Sequence, residues 1–342
     1  MSIIRLGSNQ PANRFYKGGE RIRDFRSESS IPSTGDHVPE DWVGSTTTIF
    51  GEKRIGLTEL ADGTLLVDLV NNDPIHWLGT EHFEAFGSDT MMLVKLLDAG
   101  QRLPVHVHPS RAFSSEHLER NHGKAEAWMI LEGGTVHLGF NREVSTEELT
   151  TWVDTQSVAA FLGAMHAVTV SAGDSIFVPP GMPHAIGEGV FLVEIQEPED
   201  LSILLEWDGF SIDGTQAGHL GLGFETALAA VDRQENSRED LERLIVRTGQ
   251  GVKELAAGSR SYFRVETREV SQDTIFDPGF SIMVVTDGIG EIKSTQGTTM
   301  SISRGDTVLI AHDAGGLQVS GQLKLIRCRP PESRFRAASE PT

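Results

Sequence analysis

The chain has 342 residues, a formal net charge of -20 and one cysteine. That length predicts about two domains with a sizeable core, while 49 acidic against 29 basic residues argue against a nucleic-acid partner, which needs concentrated Lys and Arg. Cys328 alone excludes an internal disulfide and any cysteine-built metal site, and no apolar run approaches the roughly 18 residues of a membrane span. The opening residues lack a charged segment leading into an apolar stretch, so a cytoplasmic protein without membrane contact is expected.

Strand signals dominate in chain order. The runs TLLVDLV, MMLVKLLD, AWMILEG, VHLGF, HAVTV, SIFVPP, VFLVEIQ and LSILLEW are short, apolar and separated by Gly, Pro, Asp and Asn, which predicts a mainly β fold built as sandwiches or small barrels. Helical patterns are expected in three places: SRAFSSEHLERNH, STEELTTWVDTQSVAAFLGAM and GFETALAAVDRQENSREDLERLIV. The second opens with a capping box, Ser145 and Glu148. The β pattern returns from about Gly251 to Pro331. Three segments are therefore expected: a metal-binding N-terminal domain over 1–210 with a helical insertion, a helical connector over 211–250, and a second β domain over 251–342 without metal ligands. AGDSIFVPPGMPHAIG and RGDTVLIAHDAGGLQVSG share a phrase, and laying Gly173 on Gly305 puts His184 on Gly316. The second half thus reads as a repeat of the first that lacks the ligand.

The stretch GQRLPVHVHPS places His106 and His108 on one side of a strand, because side chains alternate with a period of two. The same period puts Glu126, Trp128 and Ile130 on one face, and the turn PPGMPH brings His184 to the end of a neighbouring strand. Three imidazoles and a carboxylate suit a divalent metal with positions left for substrate oxygens. Any one of these histidines alone is more often a core or surface residue than a ligand; the joint register reverses that weighting. His37, His76, His82, His117, His122, His137, His166 and His312 have no such context.

The spacing Gly100-x5-His106-Val107-His108, then Glu126-x6-Gly133, then Gly173-x5-Pro179-Pro180-Gly181-x2-His184 is similar to the two motifs of the cupins, with seventeen residues inserted between His108 and Glu126. Together with LVKLLDAGQRLPVHVHP, GKAEAW and PPGMPHAIGEGVFLVEIQEPED, the chain resembles the type I mannose-6-phosphate isomerases in their shorter bacterial form, over most of its length. The resemblance implies two cupin-like barrel or jelly-roll domains, a metal held by His106, His108, Glu126 and His184, and catalytic roles for Lys124, Lys95 and Glu194. Zinc is the first expected metal, with manganese, iron or nickel also suited to an imidazole-rich set. The implied activity is aldose–ketose isomerisation of a sugar phosphate or related sugar through an enediolate, by a monomer or homodimer. Two positions depart from the family. His106 replaces a glutamine, which keeps an oxygen-using three-histidine, one-glutamate metallo-cupin in view, and Leu204 replaces an arginine four residues beyond Asp200, which keeps a silent sugar-binding protein in view. Arg111 is the candidate to supply that missing guanidinium to substrate, with Arg120 second; a solvated helix face is the plainer reading of both.

Overall fold

The computed structural model describes residues 2–26, 35–248 and 253–335. Three antiparallel sheets hold most of the strands. A six-stranded sheet runs in the order Ile245–Val246, Ser175–Val178, Glu126–Glu132, Phe191–Gln196, Leu93–Asp98, Glu40–Val43. A five-stranded sheet runs Ile203–Leu204, His106–Val107, His184–Ile186, Gly134–Phe140, Met165–Val170. The mainly β cupin-type fold expected from the sequence is therefore the fold observed.

Alternation decides what each sheet face meets. On the six-stranded sheet Leu97, Trp128, Ile130, Ile176 and Leu192 pack against Val136, Leu138, Val170 and Ile186 of the five-stranded sheet. The intervening residues Val94, Ala127, Met129, Val193 and Ile195 point the other way, into a core shared with Ile282, Val284, Leu309 and Ile326 of the eight-stranded C-terminal sheet. Both faces of the six-stranded sheet are thus buried, which explains why its strands read as continuous apolar runs. The N-terminal strand Ile3–Leu6 joins the C-terminal sheet, pairing with Thr307–Ile310.

The two Gly-Asp phrases build one turn twice. Gly173 and Gly305 both have positive φ, 86° and 92°, a conformation that favours glycine. Asp174 accepts a hydrogen bond from the Ser171 amide at 3.0 Å and Asp306 from the Ser303 amide at 2.7 Å. The Gly173 amide donates to the Ile130 carbonyl, and the Gly305 amide to that of Val285.

Helices form where caps and spacing called for them. Ser110 caps Arg111–Leu118, and the Ser145–Glu148 box caps Thr146–Thr155, which continues into Val158–Gly163. The third region gives Phe224–Ala227 and Arg238–Leu244, the latter with its own box of Ser237 and Asp240. One expected strand is a helix. TLLVDLV becomes Leu66–Asn72, with Leu66 and Val70 buried one turn apart, and Pro74–Leu78 and Thr80–Phe86 follow it. Its apolar residues serve one stripe packed on the shared core rather than two sheet faces, a choice that a short run does not reveal.

Candidate metal centre

Cross-strand register builds the site. Residues directly opposite in an antiparallel pair share a face; Trp42 lies opposite Lys95, Lys95 opposite Glu194, and Glu194 opposite Trp128. Glu126 comes one alternation along, opposite Gln196. On the facing five-stranded sheet His106 lies opposite both His184 and Leu204. The inward faces of two sheets therefore bring the carboxylate and the imidazoles together.

The ligand atoms of His106, His108 and His184 all lie within 4.8 Å of one another. Glu126 reaches two of the three rings, with Oε2 at 2.9 Å from His108 Nε2 and Oε1 at 3.3 Å from His184 Nε2. Each Nδ1 faces a backbone carbonyl oxygen: His106 that of Pro104 at 2.8 Å, His108 that of Leu201 at 2.7 Å, and His184 that of Met182 at 2.8 Å. A carbonyl can only accept, so each Nδ1 carries the proton and each Nε2 turns a lone pair inward, the arrangement typical of metal-ligating histidines. His184 Nε2 is buried without a hydrogen-bond partner. Convergent lone pairs with an orphaned buried nitrogen among them fit a divalent cation.

Local pins fix these positions. The Gly181 amide donates to the His108 carbonyl at 2.8 Å, tying the PPGMPH turn to the first motif. Glu206 accepts from the Val105 amide at 2.8 Å and pairs with Arg102, holding the approach to His106. The insertion is anchored at Glu197, which takes the Ala125 amide at 3.0 Å and the Arg111 guanidinium at 2.5 Å.

The electrostatics follow from burial and neighbours. Burial, and then the other two imidazoles, hold His106 well below the ordinary histidine range; burial and then the Lys124 ammonium push His108 down to about 3. Burial opposes ionisation of Glu126, yet Lys124 and His108 outweigh it and keep the carboxyl well below its usual range. Lys124 Nζ lies 3.0 Å from Glu126 Oε2 and 2.8 Å from His108 Nε2. Glu194 is raised, by burial and then by Glu126. Lys95 sits 3.4 Å from both Glu40 and Glu194 and 4.7 Å over the Trp42 ring; burial works against its charge, but Glu40 and Glu194 prevail and its pKa rises.

A pocket of about 30 Å³ opens on His106 and Glu126, lined also by Lys95, Lys124 and Glu194. Arg111 is not among its lining residues; its guanidinium pairs with Glu197 and packs 4.7 Å over Tyr262. Arg120 is half-exposed, 3.9 Å from Glu199. The sequence reading missed the guanidinium that does line the pocket, Arg14, together with Tyr16, Glu40 and Asp200. Glu40 accepts from Tyr16 at 2.6 Å, Trp42 at 2.7 Å and Arg14 at 3.0 Å. EDWV, with a charge pair beside a tryptophan in a buried strand, was the available signal.

The fold and the site define a mainly β, cupin-type protein with a buried three-histidine cluster and an adjoining carboxylate between two of its sheets. The chain is a relative of the type I mannose-6-phosphate isomerases. It is 27% identical over 319 residues to the mannose-6-phosphate isomerase of Streptococcus mutans, covering 90% of this chain and 93% of that one. It is 28% identical over 244 residues to mannose-6-phosphate isomerase ManA of Bacillus subtilis, covering 69% and 73%. Among solved structures, the mannose 6-phosphate isomerase of Bacillus subtilis superposes with a TM-score of 0.72 at 22% identity, covering 96% of this chain and all of that one. The apo form from Salmonella typhimurium gives 0.72 at 14% identity, over 97% and 100%. These two share the fold. No family model matches the chain, and no helix among the described residues is long and apolar enough to cross a membrane.

Proposed function

We propose that the protein is a metal-dependent aldose–ketose isomerase acting on a sugar phosphate or related sugar. The observation that carries this reading is the set of three inward Nε2 atoms and the Glu126 carboxylate, opening on a pocket that also holds Lys124 and Glu194. His106, His108, Glu126 and His184 would hold a divalent ion, zinc first, which supplies Lewis-acid stabilisation of negative charge on substrate oxygens. The chain's own groups do the rest. Isomerisation moves a proton between neighbouring carbons, so it needs a buried base that can give back what it takes. Glu194 has that role: it lines the pocket beside Lys124, its Oε1 faces the Lys95 ammonium at 3.4 Å, and burial disfavours its charge. Lys124 holds the sugar oxygens and balances charge developing there. Lys95, clamped between Glu40 and Glu194, orients the Glu194 carboxylate. Cytoplasmic location and action as a monomer or homodimer complete the reading.

Incubating the metal-loaded protein with a panel of free and phosphorylated aldoses tests it. Ketose formation is expected from at least one. No conversion of any of them by protein with its site occupied would reject isomerase activity, and oxygen uptake in the same vessel would point to the oxygen-using metallo-cupin instead.

A further inference from the structure

We propose that the C-terminal half carries a second binding site, an arginine-lined cleft for a small organic phosphate monoester. Arg264 and Arg329 lie directly opposite each other across an antiparallel strand pair, and Arg327 lies opposite Glu266 one alternation along. The three guanidiniums therefore share one face of the sheet, and like charges placed opposite in this way repel. Their pairing is incomplete. Arg329 reaches Asp277 at 2.6 Å and the Pro278 carbonyl at 2.8 Å, while its Nε is buried without a hydrogen-bond partner. Arg327 takes the same Asp277 at 2.9 Å and Glu266 at 3.3 Å, and Glu266 is shared again with Arg268 at 2.7 Å. Arg264 donates from Nε to the Pro330 carbonyl at 2.9 Å and forms no ion pair among the described residues. Burial, and then Arg329, push its pKa down to about 10.

The guanidiniums of Arg264, Arg268, Arg327 and Arg329 thus divide two carboxylates, Asp277 and Glu266. Of the other charged residues along the cleft, Glu332 pairs with Arg334 at 2.5 Å, and Glu81 and Arg260 cancel in formal count. In a chain of net charge -20, this face keeps a cationic surplus that matches the roughly 1.5 to 2 negative charges of a phosphate monoester at neutral pH. Two guanidiniums side by side suit its oxygens. The cleft has two lobes, of about 290 and 450 Å³, which meet at Arg264, Asp277, Arg329 and Glu332, a size usual for small-molecule sites. One lobe offers Leu255, Phe263 and Val265 to a carbon skeleton; the other offers Glu332 and Ser333 to hydroxyls. Gly279 has a φ of 136°, and a Cβ there would collide with Arg329 Nη2, so the loop is shaped to take that guanidinium. None of these residues lines the pocket at the metal centre, so this assignment and the isomerase reading fail separately.

Calorimetric titration of the metal-loaded full chain with glycerol 3-phosphate and with inorganic phosphate, at fixed ionic strength, tests it. The wild type is expected to bind the monoester more tightly than phosphate. Arg264→Gln should weaken that binding by about tenfold or more, and Arg264→Lys should recover part of it. Lys124→Ala, altered in the catalytic pocket, should bind as the wild type does. Because Arg264 faces a like charge, Arg264→Gln should also leave the urea midpoint of the free protein equal or higher. No saturable binding, or equal binding by the wild type and Arg264→Gln, would overturn the site. So would loss of binding in Lys124→Ala, which would put the anion at the metal centre. Phosphate bound as tightly as the monoester would mean an adventitious ion only, and a lower urea midpoint in Arg264→Gln would make the arginine a structural one.

Discussion

Glu40 concentrates much of the site's order. Four donors converge on its carboxylate from three places in the chain: Arg14 and Tyr16, Trp42, and Lys95. Arg14 and Lys95 hold it far below the usual carboxylate range even though burial pushes the other way. Removing one partner of a buried network leaves the others desolvated and unpaired, at a cost of about 3–5 kcal/mol. Glu40→Ala should therefore lower unfolding free energy by that amount in urea titrations; a loss below about 1 kcal/mol, the value of an exposed pair, would show that the network is not held as described. Lys124→Ala and Glu194→Gln are expected to behave differently. Each should keep its metal and lose about 10²- to 10⁴-fold in kcat, the usual contribution of a positioned acid–base group for Glu194 and of a charge-stabilising donor for Lys124. A Glu194→Gln enzyme with unchanged kcat would remove that carboxylate from the proton transfer.

The helical insertion is the element that distinguishes this site, and its anchoring is electrostatic. His122 Nε2 meets Asp89 Oδ2 at 2.6 Å and Nδ1 faces Glu197 at 3.7 Å. Burial lowers its pKa, but Asp89 and Glu197 outweigh burial and raise it to about 9. A histidine whose folded pKa lies above its ordinary value of about 6.5 contributes fully below that value and loses the contribution as pH rises through about 9. Denaturant melts of the wild type and His122→Gln should thus differ most near pH 6 and converge near pH 10. A gap that widens with pH would contradict the ion-pair account. This residue looked ordinary in the sequence because both of its partners are far away in the chain. The candidate ligands stood out for the opposite reason: His106 and His108, like Glu126 and Trp128, declare a shared face through period two alone. Arg14, Glu40 and Asp200 were not, since their meeting depends on which strand lies beside which. Leu66–Asn72 was misread because an apolar run of seven fits either period.

At the scale of the molecule, the six-stranded sheet is the common wall of two cores. Its inward face carries Lys95, Glu126 and Glu194, and its other face packs Val94, Ala127 and Val193 against the C-terminal sheet. The chain's first strand pairs within that C-terminal sheet. Arg26 bonds to Asp41 at 2.5 Å and to Thr307 Oγ1 at 3.1 Å, joining the two ends of the chain in a buried contact. The C-terminal half is then a support for the catalytic wall, and the two halves should unfold together. Calorimetry is expected to show one transition with equal calorimetric and van't Hoff enthalpies; two resolved transitions would mean that the shared core does not couple them.

All of this rests on one cation held between the inner faces of two sheets. Metal content per chain after exhaustive dialysis tests it most directly, in the wild type and in His108→Ala. The account predicts one tightly held divalent ion in the wild type and loss of most of it in the variant. A wild type that retains none, or a variant that retains its full complement, would contradict it.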